Sequence, residues 1–353
     1  MLKLFKSKPR SLLGIDISST SVKILEILAA DDQYFVQGYG SIELPENSME
    51  GGLIKDVDAI ASSIRQLISS AHLTTKQAAL AVPDSTAISK VIQLNEGLSE
   101  EEIEELVAME ADKYIPYPID EINLDFRVLG PSLKNSAMVD VLIVASRADN
   151  VSNRVEAISR AGLEAKIVDV ESYAVERAAQ LLAPVLPAGG VNKIVAIIDV
   201  GAVYTHFFIL HGMKIIFSRE EEFGGRHLID AIMQRYSLKA SEAIKMLEQA
   251  SLPEDYESEI LQPFREAILL QIKRALQFFF STSHYTFVDY LLLAGGVAKL
   301  PNIAQLVQEH INIPTSIANP FTNMNLAKRV SREQIDMDSP GLLVACGLAL
   351  RAG

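Results

Sequence analysis

The chain has 353 residues, which is long enough to bury more than one core, so two or more lobes are expected. A formal net charge of -13 argues against a nucleic-acid surface, because such surfaces need clustered positive charge. Although 49% of the residues are hydrophobic, no uninterrupted apolar run approaches the roughly 18 residues of a membrane span. The single cysteine, Cys346, excludes an internal disulfide and indicates a core position in a reducing, cytoplasmic compartment.

The N-terminal segment 1–10 mixes basic residues with Leu2, Leu4 and Phe5, but it lacks the apolar core and the cleavage site of a secretory signal. A frayed terminus is the favoured interpretation. A weak contact with anionic lipid is the alternative.

Residues 12–23 read as a strand, a polar turn and a second strand, with Asp16 near the end of the first strand. Buried parallel strands cannot solvate a carboxylate, so an acid at such an end usually points into a crevice. Asp16 is therefore the first candidate for chemistry, and Ser18, Ser19 and Thr20 supply hydroxyls beside it. The alternative is an ordinary hairpin with a satisfied acid.

Further strands are predicted over 22–28, 34–42 and 78–82. Between the last two, a loop at 45–52 leads to a helix that begins after Asp56 and has one apolar face.

Residues 88–162 have a different character and predict an insert with the order strand, helix, strand, strand, helix. Ser99 and Glu102 form a capping-box pattern for the first of these helices, which is expected to carry Tyr114. The acidic residues of this helix are typical of a solvated face. The segment 114–118 contains two prolines and is expected to be extended.

A strand over 163–170 and a helix over 171–182 follow the insert, and a break rich in Pro and Gly comes at 184–190. The opening pattern then recurs, since residues 194–219 again read as a strand with an acid, Asp199, at its end, a turn and two more strands. Two hairpins can be alike by chance. The shared placement of the two acids favours a duplicated fold.

The remainder is predicted to be mainly helical, and its last helix has the small residues that suit close packing in a core. In order, its elements are a helix over 226–236 after Gly224 and Gly225, a helix carrying Glu242 and Lys245, a long helix over 257–280, a strand over 290–293 that runs into Gly295, Gly296 and Val297, a helix after Pro301, and a helix over 341–350.

If two similar lobes pack side by side, the strand ends at Asp16, Asp199 and Gly295 would face one crevice suited to a nucleotide. Hydroxyls and amides of the turns at 18–20 and 201–205 can donate to phosphate oxygens. Two acids can hold a hydrated Mg²⁺, which needs few protein ligands. The glycine pair lets a base or a ribose approach the backbone.

Other chemistries fit less well. The sequence contains no G-x-x-x-x-G-K-[ST] loop and no G-x-G-x-x-G after a strand, which excludes P-loop and Rossmann sites. H-E-x-x-H and G-x-S-x-G are also absent, so neither a catalytic zinc nor a nucleophile elbow is expected.

Five ordered segments resemble the phosphate-1, connect-1, phosphate-2, adenosine and connect-2 motifs of the actin, Hsp70 and sugar-kinase superfamily. They are residues 14–23, 168–178, 197–205, 291–301 and 341–350. The resemblance implies an α/β fold of the actin/Hsp70-like type, a duplicated RNase H-like two-lobed fold, with an FtsA-like inserted subdomain in the first lobe. The run 110–118, the start at 14–16 and the length are similar to the PilM family of type IV pilus assembly proteins.

This resemblance implies a cytoplasmic scaffold that binds ATP or ADP with Mg²⁺ and serves type IV pilus assembly and twitching motility, with weak or no ATP hydrolysis. Its implied partner is the short N-terminal cytoplasmic peptide of a PilN-type protein, which would hold it at the inner face of the inner membrane. Other pilus motor components and a homo-oligomer are further implied partners, and nucleic acid is not one.

The motifs also imply roles for single residues. Asp16 and Asp199 would order Mg²⁺ through water, and Glu171 falls where relatives place the residue that orients the attacking water. The implied nucleotide-binding residues are Ser18, Ser19, Thr20, Lys23, Asp16, Asp199, Gly201, Thr205, Gly224, Gly225, the ribose and adenine pair Glu242 and Lys245, and Gly295, Gly296 and Val297.

Two departures from the superfamily pattern affect catalysis. Ser18 stands where most members have glycine, and Ala202, Val203 and Tyr204 replace an expected Gly-Gly-Thr. Binding is therefore expected to survive better than hydrolysis. For Glu171 the alternative is a helix-start carboxylate that the macrodipole favours.

The groove for the partner peptide is expected near Tyr114, Pro116 and Tyr117, which would otherwise form a rigid turn on the lobe. The predicted subdomains are a first lobe over 1–87, 163–190 and 312–353, an inserted subdomain over 88–162, a second lobe over 191–218 and 281–311, and its helical subdomain over 219–280.

Two other functions stay open. A small-molecule kinase of the same superfamily would need a positioned carboxylate base, and no second acid motif is found for it. A self-polymerising protein like FtsA is the other, and sedimentation with ATP distinguishes it.

Overall fold

The computed structural model describes residues 10–30, 33–132, 135, 137–249 and 251–352. The N-terminal segment before Arg10 and residues 31–32 lie outside the described residues.

Two compact units divide the chain. The insert unit consists of residues 15–24 and 40–171, and the main unit consists of residues 1–14, 25–39 and 172–353. The finer division into four subdomains stays a prediction.

Strands and helices are interspersed along the chain, in agreement with the α/β prediction. The strands are β1 (Arg10–Ile17), β2 (Ser21–Ala30), β3 (Gln33–Glu43), β4 (Met49–Glu50), β5 (Leu53–Ile54), β6 (Gln77–Val82), β7 (Ala87–Asn95), β8 (Ile122–Pro131), β9 (Met138–Arg147), β10 (Glu164–Val170), β11 (Ile194–Val200), β12 (Thr205–His211), β13 (Lys214–Glu221), β14 (Tyr290–Ala294), β15 (Thr315–Ile317) and β16 (Asn325–Leu326). The α-helices are α1 (Val57–Ser70), α2 (Glu100–Ala111), α3 (Ala148–Arg160), α4 (Glu171–Ala179), α5 (Gly225–Tyr236), α6 (Ala240–Glu248), α7 (Gln262–Thr282), α8 (Ile303–Ile311), α9 (Arg332–Asp338) and α10 (Leu343–Ala349).

Two larger sheets carry the repeated strand pattern. The first has six strands in the order β10-β6-β1-β2-β3-β16, and the second has five in the order β13-β12-β11-β14-β15. The consecutive strands β1, β2 and β3 are neighbours in the first sheet, and β11, β12 and β13 are neighbours in the second. The pattern that recurs in the sequence therefore recurs as the same strand arrangement.

The long helix α7 builds the core on the five-stranded sheet. Its residues Phe264, Ile268, Ile272 and Phe279 are buried at helical spacing, in one apolar cluster with residues of β11 and β14. Full burial of each such side chain stabilises the fold by about 1.5–3 kcal/mol. A π-helical turn over Glu257–Leu261 precedes α7. Among the described helices, none is long and apolar enough to cross a membrane.

The predicted insert forms a three-stranded sheet, β7-β9-β8, with α2 packed on it. The Glu102 amide donates to Ser99 Oγ, and the Ser99 amide donates to Glu102 Oε2 at 2.8 Å, so the capping box is confirmed. Ile103 and Val107 of α2 join Ile143 of β9 in a buried cluster.

The prediction for the residues after α2 is wrong in two respects. The helix ends at Ala111, so Tyr114 lies beyond it. The amides of Tyr114 and Ile115 donate to Ala111 O at 3.0 and 2.9 Å, which makes this segment a turn rather than an extended stretch. A proline restricts the residue directly before it, so Pro116 leaves the preceding turn free to form.

Several short elements were not predicted from the sequence. Two-residue strands β4 and β5 pair where a loop was expected, and β15, β16 and α9 were not foreseen. The four strands have two or three residues each, too few for a strand period to show in the sequence, and α9 has seven, too few for a helical period.

The small-residue helix α10 is buried in the main unit, as predicted. A Cβ added to Gly14 of β1 would lie 2.0 Å from Ala345 O, and one added to Gly347 would lie 1.8 Å from Ala174 O. The backbone of α10 therefore touches β1 through one glycine and α4 through the other. Cys346 is fully buried between these contacts, and burial raises the pKa of its thiol, which suits an inert core residue.

Replacing Gly347 with alanine should lower the free energy of unfolding by about 1–3 kcal/mol, because the new methyl meets backbone atoms that cannot rotate away. Gly341 is the matched control, since a Cβ added there has no heavy atom within 4 Å. Thermal unfolding of both purified variants measures the effect. Equal melting temperatures for Gly347→Ala and Gly341→Ala would contradict the close-packing argument.

Candidate functional site

The turn between β1 and β2 is closed by its own serines. The Ser18 amide donates to Ser21 O at 2.9 Å, and Ser18 Oγ donates to the same oxygen at 3.0 Å. Ser18 Oγ also lies 3.0 Å from Ser21 Oγ. The Ser18 hydroxyl therefore belongs to the turn, whereas Ser19 is half-buried and Thr20 is exposed at the outer end of the turn.

Asp16 and Lys23, which the sequence assigned to one site, meet in the insert unit. Lys23 Nζ lies 3.1 Å from Asp16 Oδ2, and the side chains are 22% and 6% exposed. A carboxylate this deeply buried needs a charged partner, since an isolated buried charge costs several kcal/mol. The two-strand hairpin supplies this partner by returning Lys23 to the side of Asp16.

Arg154 is a third charged residue of this group, and the sequence analysis did not single it out. It lies on α3, and its side chain is fully buried. Burial lowers its pKa to about 10, and the carboxylates of Glu171 and Asp16 act in the opposite direction. The sequence gives one indication of this burial, because Arg154 lies on the same face of the helix as the buried Ala157 and Ile158.

Glu171 is the first residue of α4, directly after β10, and is half-buried. The structure brings it close enough to Arg154 to influence that guanidinium, which Asp16 also influences. A carboxylate in the first turn of a helix is also stabilised by the helix dipole. The helix-start alternative therefore fits the position of Glu171, and the water-orienting role stays a prediction.

In the main unit, Asp199 and the glycine pair meet at one end of the five-stranded sheet. Asp199 of β11 is paired with Ala294 of β14, directly before Gly295. Gly295 has a φ of +84°, and a Cβ there would lie 2.5 Å from Asp199 Oδ1. Gly296 is exposed with open space beside it, while Val297 is buried. Only glycine at 295 permits this approach of backbone to carboxylate.

The second turn is held by α5. The amides of Gly225 and Arg226 donate to Gly201 O and Ala202 O at 2.9 and 2.7 Å. A Cβ on Gly224 would lie 2.6 Å from both of these oxygens. Gly224 and Gly225 therefore dock the helix onto the turn, and the Gly225 amide is engaged within the protein.

Thr205 has a similar structural role. Its side chain is 1% exposed, and its Oγ1 donates to Phe223 O at 2.6 Å. The hydroxyl links β12 to the segment that leads into α5.

Glu242 and Lys245 are both exposed on α6, one turn apart. Glu242 Oε2 accepts from the Lys239 amide at 2.9 Å, so this carboxylate caps its own helix. Within the described residues, no group of three or more His, Cys, Asp or Glu side chains could hold a metal ion.

The peptide candidates lie on the turn after α2. Tyr114 and Tyr117 are 45% and 40% exposed, and Pro116 between them is exposed too. Lys90 Nζ lies 5.1 Å from the Tyr114 ring centre, and the Arg147 guanidinium lies 5.6 Å from that of Tyr117. The rings are thus held by cations while much of their surface faces solvent.

Comparisons with known proteins agree with this architecture. Among solved structures, the chain is similar to a PilM-PilN type IV pilus biogenesis complex, with a TM-score of 0.80 and 26% identity over 97% of this chain and 98% of that one. It is also similar to the ethanolamine utilization protein EutJ from Carboxydothermus hydrogenoformans, with a TM-score of 0.59 and 15% identity over 99% and 91% of the two chains.

The cell division protein FtsA of Enterococcus hirae is 22% identical over 355 residues, which cover 87% of this chain and 78% of that protein. These likenesses confirm the predicted actin-like α/β fold. A family model described as type IV pilus assembly protein PilM matches residues 14–353, nearly the whole chain. The chain therefore belongs to the PilM family of type IV pilus assembly proteins.

Proposed function

We propose that this chain is an ATP-binding scaffold of type IV pilus assembly that binds the N-terminal cytoplasmic peptide of a PilN-type protein. The observation that carries the proposal is the similarity to the PilM-PilN complex over 97% of the chain. Binding of that peptide would hold the chain in the cytoplasm at the inner face of the inner membrane. The nucleotide would act mainly as a ligand, with weak or no hydrolysis.

The insert unit supports a role in holding the phosphates and the metal. Asp16 is a buried carboxylate at a strand end, and Lys23 places an ammonium 3.1 Å from it. Mg²⁺ keeps most of its waters and needs one or two carboxylates, so Asp16 would help to order an ion bound through water, and Asp199 is the corresponding candidate in the main unit. Lys23, Ser19 and Thr20 would face the phosphates.

The main unit supports a role in holding the nucleoside. The space beside Gly296 is open, and the backbone there carries no side chain that would obstruct a flat ring. Val297 offers a buried apolar contact at the same turn. Glu242 and Lys245 would bind the ribose and the base, while Thr205, Gly224 and Gly225 shape the turn at 201–204.

The second turn also supports weak hydrolysis. Ala202, Val203 and Tyr204 add side chains where a phosphate must approach. Burial and the carboxylates of Glu220 and Glu222 raise the pKa of Tyr204, so negative charge lies close to this turn. Such charge opposes the additional negative charge that develops on a transferring phosphoryl group.

The exposed tyrosines support a peptide site on the insert unit. Tyr114, Tyr117 and the neighbouring Ile119 are each at least 40% exposed, and the buried Ile115 anchors the turn that presents them. Aromatic rings at a protein surface supply large contact area at a small entropic cost. A peptide that packs on these rings would contact the turn directly after α2.

Replacing Asp16 with asparagine should weaken Mg-ATP binding about tenfold or more, because the change removes the charge that orders the ion and its waters. Titration with a fluorescent ATP analogue in the presence of Mg²⁺ measures the dissociation constant. Asp58→Asn is the matched control, because that carboxylate is 79% exposed on α1. Unchanged affinity in the folded Asp16→Asn variant would refute the assignment.

Replacing Tyr117 with alanine should weaken the binding of a synthetic PilN-type N-terminal peptide about tenfold, as loss of an aromatic interface residue commonly does. Tyr114→Ala should act in the same direction. Tyr34→Ala serves as the control, since Tyr34 is an exposed tyrosine of β3 at 38%. Calorimetric titration gives the affinities, and equal values for the three variants and the parent chain would place the groove elsewhere.

The purified chain should release phosphate from Mg-ATP far more slowly than the typical enzyme turnover of about 10 per second. A phosphate-release assay under saturating ATP measures the rate, and Glu171→Gln tests whether any residual activity depends on that carboxylate. Fast turnover that Glu171→Gln abolishes would show an ATPase rather than a scaffold. Transfer of the γ-phosphate to a small molecule would instead support the alternative that the chain is a small-molecule kinase.

A further inference from the structure

We propose that Arg154 is a positioning residue through which α3, the last helix of the predicted insert, controls the affinity of the insert unit for Mg-nucleotide. The proposal rests on the proposed nucleotide binding. It assigns to α3 the coupling between a peptide bound on the insert and a nucleotide bound at Asp16.

Arg154 is unusual because its guanidinium is completely removed from solvent. Among the buried residues of the described chain, it is the only lysine or arginine. Burying a cation costs several kcal/mol unless its donors and its charge are satisfied. The groups that accept hydrogen bonds from such a buried guanidinium, or that balance its charge, must therefore keep their positions.

The hydrogen bonds of Arg154 tie α3 to two separate segments. Nε donates to Ala81 O at 3.0 Å, and one terminal nitrogen donates to Gly52 O at 2.7 Å. The other terminal nitrogen donates to the side-chain and backbone oxygens of Asn150, one turn earlier on α3. The guanidinium fork therefore fixes the position of α3 against β6 and the β4-β5 turn.

The strand order explains why this anchor point matters. β6, which accepts the bond at Ala81, lies between β1 and β10 in the six-stranded sheet. Asp16 lies near the end of β1, and Glu171 directly follows β10, whose Asp169 is paired with Ala81. Arg154 is thus attached to the strand between the two acids, and both carboxylates act on its charge.

The other end of α3 reaches the proposed peptide surface. Arg147, the residue before α3, lies over the Tyr117 ring. Asn150 Nδ2 donates to Thr86 Oγ1 at 2.7 Å and to Ser146 Oγ at 3.3 Å, while its oxygens hold Arg154. A continuous series of contacts therefore runs from Tyr117 along α3 to the guanidinium, which is bonded to β6, the strand between that of Asp16 and the one that leads to Glu171.

The hydrogen bonds of the Arg154 guanidinium permit few alternative positions. A small displacement of α3, which carries this side chain, would therefore move the guanidinium relative to Asp16 and Glu171. A peptide that shifts α3 would then change nucleotide affinity, and nucleotide would change peptide affinity by the same factor. Coupling of this kind commonly amounts to about fivefold or more.

The experiment uses the full chain with Arg154→Lys and Asn150→Ala. Lysine keeps the charge but cannot form the fork, and Asn150→Ala keeps the arginine but removes its side-chain acceptor. Arg160→Met is the control, since Arg160 lies at the end of α3 with a side chain 43% exposed. Each protein is titrated with Mg-ATP, and with a PilN-type N-terminal peptide in the absence and the presence of ATP.

Both test variants should bind Mg-ATP about tenfold more weakly, in the range typical of lost supporting contacts, while Arg160→Met matches the parent chain. The ratio of peptide affinities with and without ATP should approach one in the test variants, although peptide affinity without ATP is unchanged. A purely structural role would lower the melting temperature and leave the affinities of the folded protein as they are.

Normal ATP affinity and normal coupling in a folded Arg154→Lys or Asn150→Ala variant would overturn the inference while leaving the proposed function intact. If neither ATP nor its analogue binds the parent chain, the proposed nucleotide function itself fails. Should Arg154→Lys be too unstable to study, Asn150→Ala decides the question by the same two ratios.

Discussion

The burial of charge at the end of β1 is the constraint on which the insert unit depends. Asp16 is 6% exposed, and such a carboxylate is tolerated only beside a cation. The chain meets this need locally by turning tightly at 18–21, so that Lys23 returns on the adjacent strand. A second cation comes from a distant part of the sequence, because the buried Arg154 of α3 interacts electrostatically with Asp16.

Close backbone contacts impose the corresponding constraint on the main unit. Gly14 and Gly347 let α10 approach β1 and α4, and Gly295 lets the β14 turn approach the Asp199 carboxylate. In each case a methyl group would overlap backbone or carboxylate atoms. The packing of the core and the shape of the candidate nucleoside turn therefore depend on the same property, the absence of a Cβ.

The sequence predicted what short-range patterns determine. The long helix that includes α7, the capping box of α2 and the repeated strand pattern all appear in the structure where they were expected. The strand-end acids Asp16 and Asp199 were found in the same way. The turn after α2 was not predicted, because the two nearby prolines indicated an extended segment. The amides of Tyr114 and Ile115 instead donate to Ala111 O at the helix end.

What the sequence could not give is the pairing of groups distant along the chain. Nothing near Arg154 indicates that its fork would bind Ala81 O and Gly52 O. Nothing near Thr205 indicates that Phe223 O would take its hydroxyl, or that α5 would use its first amides on the second turn. These contacts depend on how the elements pack against one another. Local sequence motifs therefore predict ligand binding for some donors that form hydrogen bonds within the fold instead.

That distinction bears on catalysis as well as on prediction. Transition-state stabilisation needs donors that are aimed at developing charge and available to it. In this chain the Ser18 hydroxyl, the Thr205 hydroxyl and the Gly225 amide are all engaged within the protein. A nucleotide held by the remaining groups would bind without being driven toward hydrolysis. Its binding energy would then favour the folded, ligand-competent state, by about 2.7 kcal/mol at a hundredfold excess over the dissociation constant. For the proposed scaffold, which would present one surface to a peptide, such a ligand would be more useful bound than cleaved.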